Sequence, residues 1–186
     1  MLVLDIETLD TESTAVVLSA SIVYFEENDT WESLLDKTLF VKFNAKEQID
    51  KYKRTVSKST LKWWNDQSDT AKKVSFIPSS KDIGAEEGID LIKRYLANDP
   101  ANTKIIWTRG SLDSMVFESL TNAVGTSPLV RYNQYRDIRT GIDILASNSS
   151  KGYCDVNLPG FDVNIVVKHD PVHDICYDAL MLLYPV

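Results

Sequence analysis

The order of apolar and polar positions predicts that strands form the first part of the chain. Residues 2–7 are a short apolar run that ends in carboxylates, and residues 15–25 are rich in β-branched and aromatic side chains. Residues 37–43 alternate between apolar and polar side chains. These patterns predict three successive antiparallel strands, with loops near residues 8–14 and 26–33.

The pattern changes to a helical period after residue 58. Ser59 or Thr60 can cap a helix that carries Trp63 and Trp64. The other predicted elements are a helix from Asp69 to Phe76, an amphipathic helix at 82–97, a strand at 104–107, a helix at 112–123, a strand at 129–135, a helix at 140–147, a loop at 148–162 and a last helix at 174–183. This succession predicts an α/β domain in which helices cover one mixed sheet.

Composition limits the class of protein. A chain of 186 residues is expected to form one domain, and its 44% hydrophobic and 25% charged residues are typical of soluble proteins. No apolar run approaches the ~20 residues of a membrane span, and the residues before Asp5 do not have the basic start and apolar stretch expected of a signal peptide. Cys154 and Cys176 lack the CxxC spacing, which favours free thiols in a reducing cytoplasm.

The charge is acidic overall but unevenly distributed. A net charge of -7 argues against a nucleic-acid coat protein, which is normally basic, without excluding an enzyme that holds a few nucleotides. Seven basic residues nevertheless fall within positions 42–62. They are either a local phosphate-attracting patch or a solvated basic face.

Carboxylates at three places could form a metal site. Asp5 and Glu7 lie two apart on a strand, so both point to one face and repel each other unless a cation lies between them. This pair is weak evidence alone, because surface strands often contain such a spacing. Asp113 follows an apolar strand in the first turn of a helix, where it could also simply bind free backbone N–H groups.

The third place is the C-terminal segment, which holds both histidines, His169 and His173. If the last helix begins near His173, Asp178 lies about one turn along it, and His173 could take a proton from an attacking water. Both histidines could also be ordinary polar residues at a helix start. A zinc-hydrolase pair is disfavoured, because Pro171 interrupts the helix that such a pair requires.

Taken together, Asp5-x-Glu7, Asp113 and His173-x4-Asp178 resemble the three motifs of the DEDDh 3′→5′ exonucleases, the relatives of RNase T and the polymerase proofreading subunit. The chain more closely resembles the phage exonuclease A (DexA) family, with matching stretches at residues 59–67, 133–140 and 169–174. The likeness covers nearly the whole chain. It implies an RNase H-like fold, a five-stranded mixed sheet flanked by helices, in a single exonuclease domain spanning residues 1–186.

The last motif can be placed in two ways, because His169 and Asp174 have the same spacing as His173 and Asp178. Asp178 is followed by Ala179 and a leucine-rich run, as the superfamily motif usually reads. His173 and Asp178 are therefore preferred, and His169 and Asp174 are secondary candidates for capping or supporting roles.

The resemblance implies hydrolysis with two Mg²⁺ or Mn²⁺ ions ~3.5–4 Å apart. Oxygen ligands suit these ions better than zinc. In this assignment Asp5 bridges both ions, Glu7 and Asp178 hold the nucleophile-side ion, Asp113 serves the leaving-group side through water, and His173 is the general base.

The expected substrate is single-stranded nucleic acid, DNA before RNA. Adjacent helical residues point about 100° apart, so one of Trp63 and Trp64 should pack in the core and the other should stack on unpaired bases. Arg136 and Arg139 are candidate phosphate contacts, unless they pair with Asp137 or surround a cap near Thr140. A 3′→5′ exoribonuclease is the second candidate, and a catalytically silent binding module the third. A homodimer is possible but no residue pattern demands it; a phage enzyme would act in the bacterial host cytoplasm.

Overall fold

The centre of the fold is a mixed sheet with the strand order β3-β2-β1-β4-β5. The computed structural model describes residues 1–98 and 104–186, and its strands are β1 (Leu2–Thr8), β2 (Val17–Tyr24), β3 (Leu39–Lys42), β4 (Ile106–Thr108) and β5 (Tyr135–Asp137). The first three strands are antiparallel, and β4 and β5 are parallel to β1. The predicted five-stranded mixed sheet is therefore confirmed, and the arrangement is consistent with an RNase H-like fold.

Helices cover both faces of this sheet. Their bounds are α1 (Trp31–Lys37), α2 (Ala45–Tyr52), α3 (Lys58–Asn65), α4 (Asp69–Ala71, continued by a π-helical turn at Lys72–Phe76), α5 (Ala85–Ala97), α6 (Leu112–Val124), α7 (Ile138–Leu145) and α8 (Pro171–Leu183). Short 3₁₀ turns lie at Tyr132–Gln134 and Val163–Ile165. None of the helices in the described ranges combines the length and the apolar character needed to cross a membrane.

Two short helices and one strand differ from the sequence-based prediction. The predicted loop at 26–33 ends in α1, because Thr30 and Ser33 form a reciprocal capping box that starts a helix. Asn44 likewise caps α2, which was not predicted, by accepting a hydrogen bond from the Glu47 N–H at 3.0 Å. The strand predicted at 129–135 is wrong except at its last residue, since a 3₁₀ turn precedes β5.

Alternation along β1 divides the core between the two faces of the sheet. Leu2, Leu4 and Ile6 join the apolar cluster that includes α5 and α6. Val3 joins the opposite cluster, which includes residues of α1, α7 and α8. Side chains at odd positions of β1 therefore point toward the face covered by α8.

Gln48 stabilises the sheet at the end of β1. The register between β1 and β2 shifts at Glu7 and Thr8, and there the fully buried Gln48 amide both accepts from the Val17 N–H (3.0 Å) and donates to the Val17 carbonyl (2.7 Å). Gln48→Ala is expected to lower the free energy of unfolding by about 2–4 kcal/mol, because two buried backbone groups lose their partners. Chemical denaturation measures this loss. Gln67→Ala, which removes an exposed hydrogen bond to Trp63, is the control, and an equal loss in both variants would contradict the explanation.

Candidate active site

Strand β1 carries Asp5 and Glu7 toward the face that α8 covers. Both residues share the orientation of Val3, and Glu7 is 8% exposed. The Oδ2 atom of Asp5 is buried and has no hydrogen-bond partner among the described residues. A buried carboxylate oxygen without a partner is costly, so this atom fits a position that a cation would occupy.

Helices α6 and α8 bring further carboxylates to the same end of the sheet. Asp113 is the second residue of α6 and is buried. Asp170 caps α8 by accepting from the Val172 N–H at 3.0 Å, with Pro171 in the first helical position. The helix therefore begins three residues before its predicted start, and Asp174 and Asp178 lie one turn apart on it.

His169 and Asp174 lie beside the carboxylates of β1. His169 precedes the cap of α8 in a left-handed conformation (φ 63°), and its backbone N–H donates to Oδ2 of Asp174 at 2.9 Å. Glu7, His169 and Asp174 each offer one ligand atom, and these atoms all lie within 4.8 Å of one another. His169 and Asp174, which the sequence offered only as secondary candidates, are therefore the residues that lie next to Glu7.

His173 points away from this cluster. Its Nδ1 accepts a hydrogen bond from the Val167 N–H at 3.0 Å, and its ring meets the buried Trp31 edge-on with centroids 5.2 Å apart. Because α8 has already begun at Pro171, His173 and Asp174 are adjacent helical residues whose side chains diverge by about 100°. Of the two histidines, His169 is therefore the better-placed candidate for the base.

Asp178 faces the site but is paired with a cation. Arg109 donates to both of its oxygens, from Nε to Oδ2 at 3.2 Å and from Nη2 to Oδ1. The two side chains are only 14% and 7% exposed, so this is a largely desolvated ion pair. The guanidinium balances the charge of Asp178, which makes Asp174 the better candidate for a metal ligand on α8.

Burial and mutual repulsion strongly perturb these acids. Burial, followed by repulsion from neighbouring carboxylates, raises the pKa of Asp5 and of Glu7 well above the usual range. Burial also raises the pKa of Asp113 and of Asp174 to about 7. The pKa of His169 is lowered, first by burial and then by Lys168, which favours the neutral imidazole. Such a set of oxygen ligands beside a neutral base fits Mg²⁺ or Mn²⁺.

A cavity of about 480 Å³ opens over the cluster. Arg139 lines it, whereas Arg136 is outside its lining and donates instead to the carbonyls of Asn133 (2.9 Å) and Tyr135 (2.8 Å). Asp137 caps α7 and accepts hydrogen bonds from Thr140, which is the cap near Thr140 that the sequence allowed. Among the described contacts, neither arginine side chain donates a hydrogen bond to Asp137. Of the two predicted phosphate contacts, only Arg139 is placed at the site.

The two tryptophans divide as predicted between core and surface. Trp64 is fully buried, and its indole N–H donates to the Thr8 carbonyl at 2.9 Å. Trp63 is 40% exposed, and its ring meets His169 edge-on at a centroid distance of 4.7 Å. Trp63 is therefore available to a ligand beside the cluster, and its contact with substrate stays a prediction.

Sequence reasoning missed Arg109, Tyr153 and Lys168, which also line the cavity. Arg109 follows the short strand β4, and the other two lie in or near the loop that was predicted at 148–162. No periodicity or spacing relates these residues to the acidic motifs, so only the folded chain brings them together.

Acidic residues gathered at one end of a mixed sheet are compatible with nucleic-acid hydrolysis, and similarity to known proteins identifies the chain as a 3′→5′ exonuclease. The sequence model described as the 3′-5′ exoribonuclease Rv2179c-like domain matches residues 1–183, and the chain belongs to this family. The exodeoxyribonuclease of Enterobacteria phage T4 is 30% identical over 204 aligned residues, covering 98% of this chain and 87% of the relative. The resemblance to DexA-type exonucleases is thereby confirmed. No solved structure matches the chain.

Proposed function

We propose that residues 1–186 form a single DEDDh-type domain that removes nucleoside monophosphates from the 3′ end of single-stranded DNA. The observation that carries this proposal is the convergence of four acidic residues and a histidine at one end of the sheet, namely Asp5, Glu7, Asp113, Asp174 and His169. The similarity to a phage exodeoxyribonuclease over nearly the full length of both chains supports DNA as the substrate.

The four carboxylates would hold two divalent ions, Mg²⁺ or Mn²⁺. Ions of this kind polarise phosphoryl oxygens and make bound water more acidic. The partnerless oxygen of Asp5 and the raised pKa values of its neighbours support this proposal, because a bound cation would offset both the burial and the repulsion. Asp178, already balanced by Arg109, is assigned a supporting role instead of a ligand role.

His169 is the proposed general base. Its lowered pKa favours a ring that can accept a proton. The backbone N–H of His169 donates a hydrogen bond to Asp174, which holds the backbone that carries the ring. The water oxygen forms a bond to the phosphorus of the terminal nucleotide while its proton passes to His169. The bond from phosphorus to the O3′ of the preceding nucleotide breaks, and that oxygen takes a proton from solvent.

Trp63 and Arg139 are the proposed contacts to substrate near the cluster. An exposed indole ring stacks on any nucleobase, and a guanidinium pairs with phosphate oxygens, so neither contact selects a sequence. Arg136 is exposed, but its guanidinium donates to the backbone carbonyls of Asn133 and Tyr135, so it is a weaker candidate for a phosphate contact.

An exoribonuclease is the second candidate, because the family that matches the chain is described by that activity. Single-stranded DNA and RNA of the same sequence, labelled at the 5′ end, are incubated with Mg²⁺, Mn²⁺, Zn²⁺ or EDTA. We expect stepwise 3′ shortening of DNA with Mg²⁺ or Mn²⁺, slower shortening of RNA, and none with EDTA. Faster shortening of RNA would assign the exoribonuclease activity. Internal cuts, activity only with zinc, or binding without shortening would overturn the proposal.

A further inference from the structure

A second cavity adjoins the one over the acidic cluster. It measures about 460 Å³, and its lining includes Trp63, Ser59 and Thr60 of α3. Both cavities share Ile6 and Glu7, so they meet at the end of β1. A substrate whose scissile phosphate lies at Glu7 can therefore extend into two separate concavities.

Tyr153 forms a wall of the first cavity. Its side chain is 51% exposed at the cavity lining, and the guanidinium carbon of Arg109 lies 4.1 Å from the centroid of its ring. Arg139 and Lys168 line the same cavity and supply positive charge. An aromatic ring flanked by cations is the chemistry that binds one unpaired nucleotide, with its base on the ring and its phosphate near the charges.

Several contacts hold the segment that presents Tyr153. Arg109 donates from Nη1 to the Gly152 carbonyl at 3.0 Å, and the Gly152 N–H donates to Asp143 at 3.0 Å. Gly152 has φ 74° and passes so close to Arg139 that an added Cβ would lie 2.4 Å from the Cβ of that residue. Ser150 and Tyr153 close the turn with two backbone hydrogen bonds of 2.8 and 3.1 Å. The backbone that presents the ring is therefore held before any ligand binds, which lowers the entropic cost of stacking.

We propose that Tyr153 is a second nucleobase platform, so that two adjacent nucleotides bind in the two cavities, one against Trp63 and one against Tyr153. Arg109 is its positioning residue, since one guanidinium contacts Asp178, Gly152 and the tyrosine ring. The inference rests on the proposed function, because it takes the scissile phosphate to lie at the acidic cluster close to Glu7, where the two cavities meet.

The test compares a single-stranded oligonucleotide with the methyl ester of thymidine 5′-monophosphate, which carries one nucleobase and no other aromatic ring. Tyr153→Ala is expected to raise the KM for the oligonucleotide roughly 5- to 100-fold, the equivalent of one lost base stack, with kcat changed less than about twofold. Tyr153→Phe should keep the KM near that of the unaltered enzyme. Arg109→Lys, which keeps a cation beside Asp178 without the planar group, should raise the KM to a smaller extent. The ester has a single nucleobase and can occupy only one of the two platforms. Only one of the two variants, Tyr153→Ala or Trp63→Ala, should therefore raise the KM for the ester.

Tyr132→Ala is the matched control, because Tyr132 is 87% exposed and lies outside both cavity linings. An unchanged oligonucleotide KM in Tyr153→Ala, or equal KM increases for the ester in the Tyr153 and Trp63 variants, would overturn the second platform. Binding of a fluorescent oligonucleotide to Glu7→Gln and to Glu7→Gln/Tyr153→Ala, followed by anisotropy, separates this outcome from a failure of the proposed function. Weaker binding by the double variant supports the platform even if no cleavage is found, and equal binding overturns it.

Discussion

His169→Ala is expected to lower the single-turnover rate of 3′ shortening about 10²–10⁴-fold, the usual contribution of a general base. His169 is the histidine whose ring nitrogen lies within 4.8 Å of ligand atoms of Glu7 and Asp174. Its ring also contacts Trp63, so binding of substrate can weaken in the same variant. Measurement at saturating oligonucleotide and Mg²⁺ isolates the chemical step from this effect.

His173→Ala is the matched control, and its rate should stay within about threefold of the unaltered enzyme. The expected change is in stability, by about 1–2 kcal/mol, because the Val167 N–H loses its acceptor and Trp31 loses an aromatic neighbour. Thermal unfolding measures this loss. The opposite pattern, a slow His173 variant and a fast His169 variant, would restore the assignment that the sequence first favoured.

The acidic residues could be predicted because each follows from local structure. The alternation of β1 places Asp5 and Glu7 on one face, and the strand–helix junction after β4 places Asp113 at the same end of the sheet. The choice between the two histidines could not be made from spacing, since both have an aspartate five residues later. It depends on where α8 begins, which Asp170 as cap and Pro171 as first residue determine.

The parts of the fold that were missed depend on caps and long-range contacts instead of periodicity. Helices α1 and α2 are only 7 and 8 residues long, too short for a clear helical pattern, and their caps Thr30 and Asn44 define them. The pair between Arg109 and Asp178 joins residues 69 positions apart, so it is defined only when the sheet has brought β4 beside α8. This pair balances the charge of Asp178, which makes Asp178 a weaker candidate for a metal ligand than Asp174.

Asp174→Asn is expected to abolish most metal-dependent cleavage, about 10³-fold, and to stabilise the metal-free protein at pH 8. Burial raises the pKa of Asp174 from 3.8 to about 7 on folding. A carboxyl with a raised pKa favours the folded state at pH values below 3.8, and this contribution is lost as the pH rises through about 7. At pH 8 the charge is therefore a cost that asparagine removes, worth on the order of 4 kcal/mol, whereas at pH 5, where the folded carboxyl is mostly protonated, the gain in stability should be less than half as large.

Asp178→Asn, one turn further along α8, is the matched control. Burial raises the pKa of Asp178 as well, but this substitution also removes the partner of Arg109, so it should not stabilise the protein at pH 8. It leaves the guanidinium of Arg109 without its counter-charge, a change that costs about 3–5 kcal/mol in buried pairs, less here because Arg109 is 14% exposed. Thermal unfolding in EDTA at pH 5 and pH 8, repeated with Mg²⁺, measures both variants. Mg²⁺ should raise the Tm of the unaltered protein at pH 8, because binding to the folded state stabilises it, and should do so much less for Asp174→Asn. If instead Asp178→Asn stabilises the protein and loses the Mg²⁺ response, Asp178 is the ligand and Asp174 supports it.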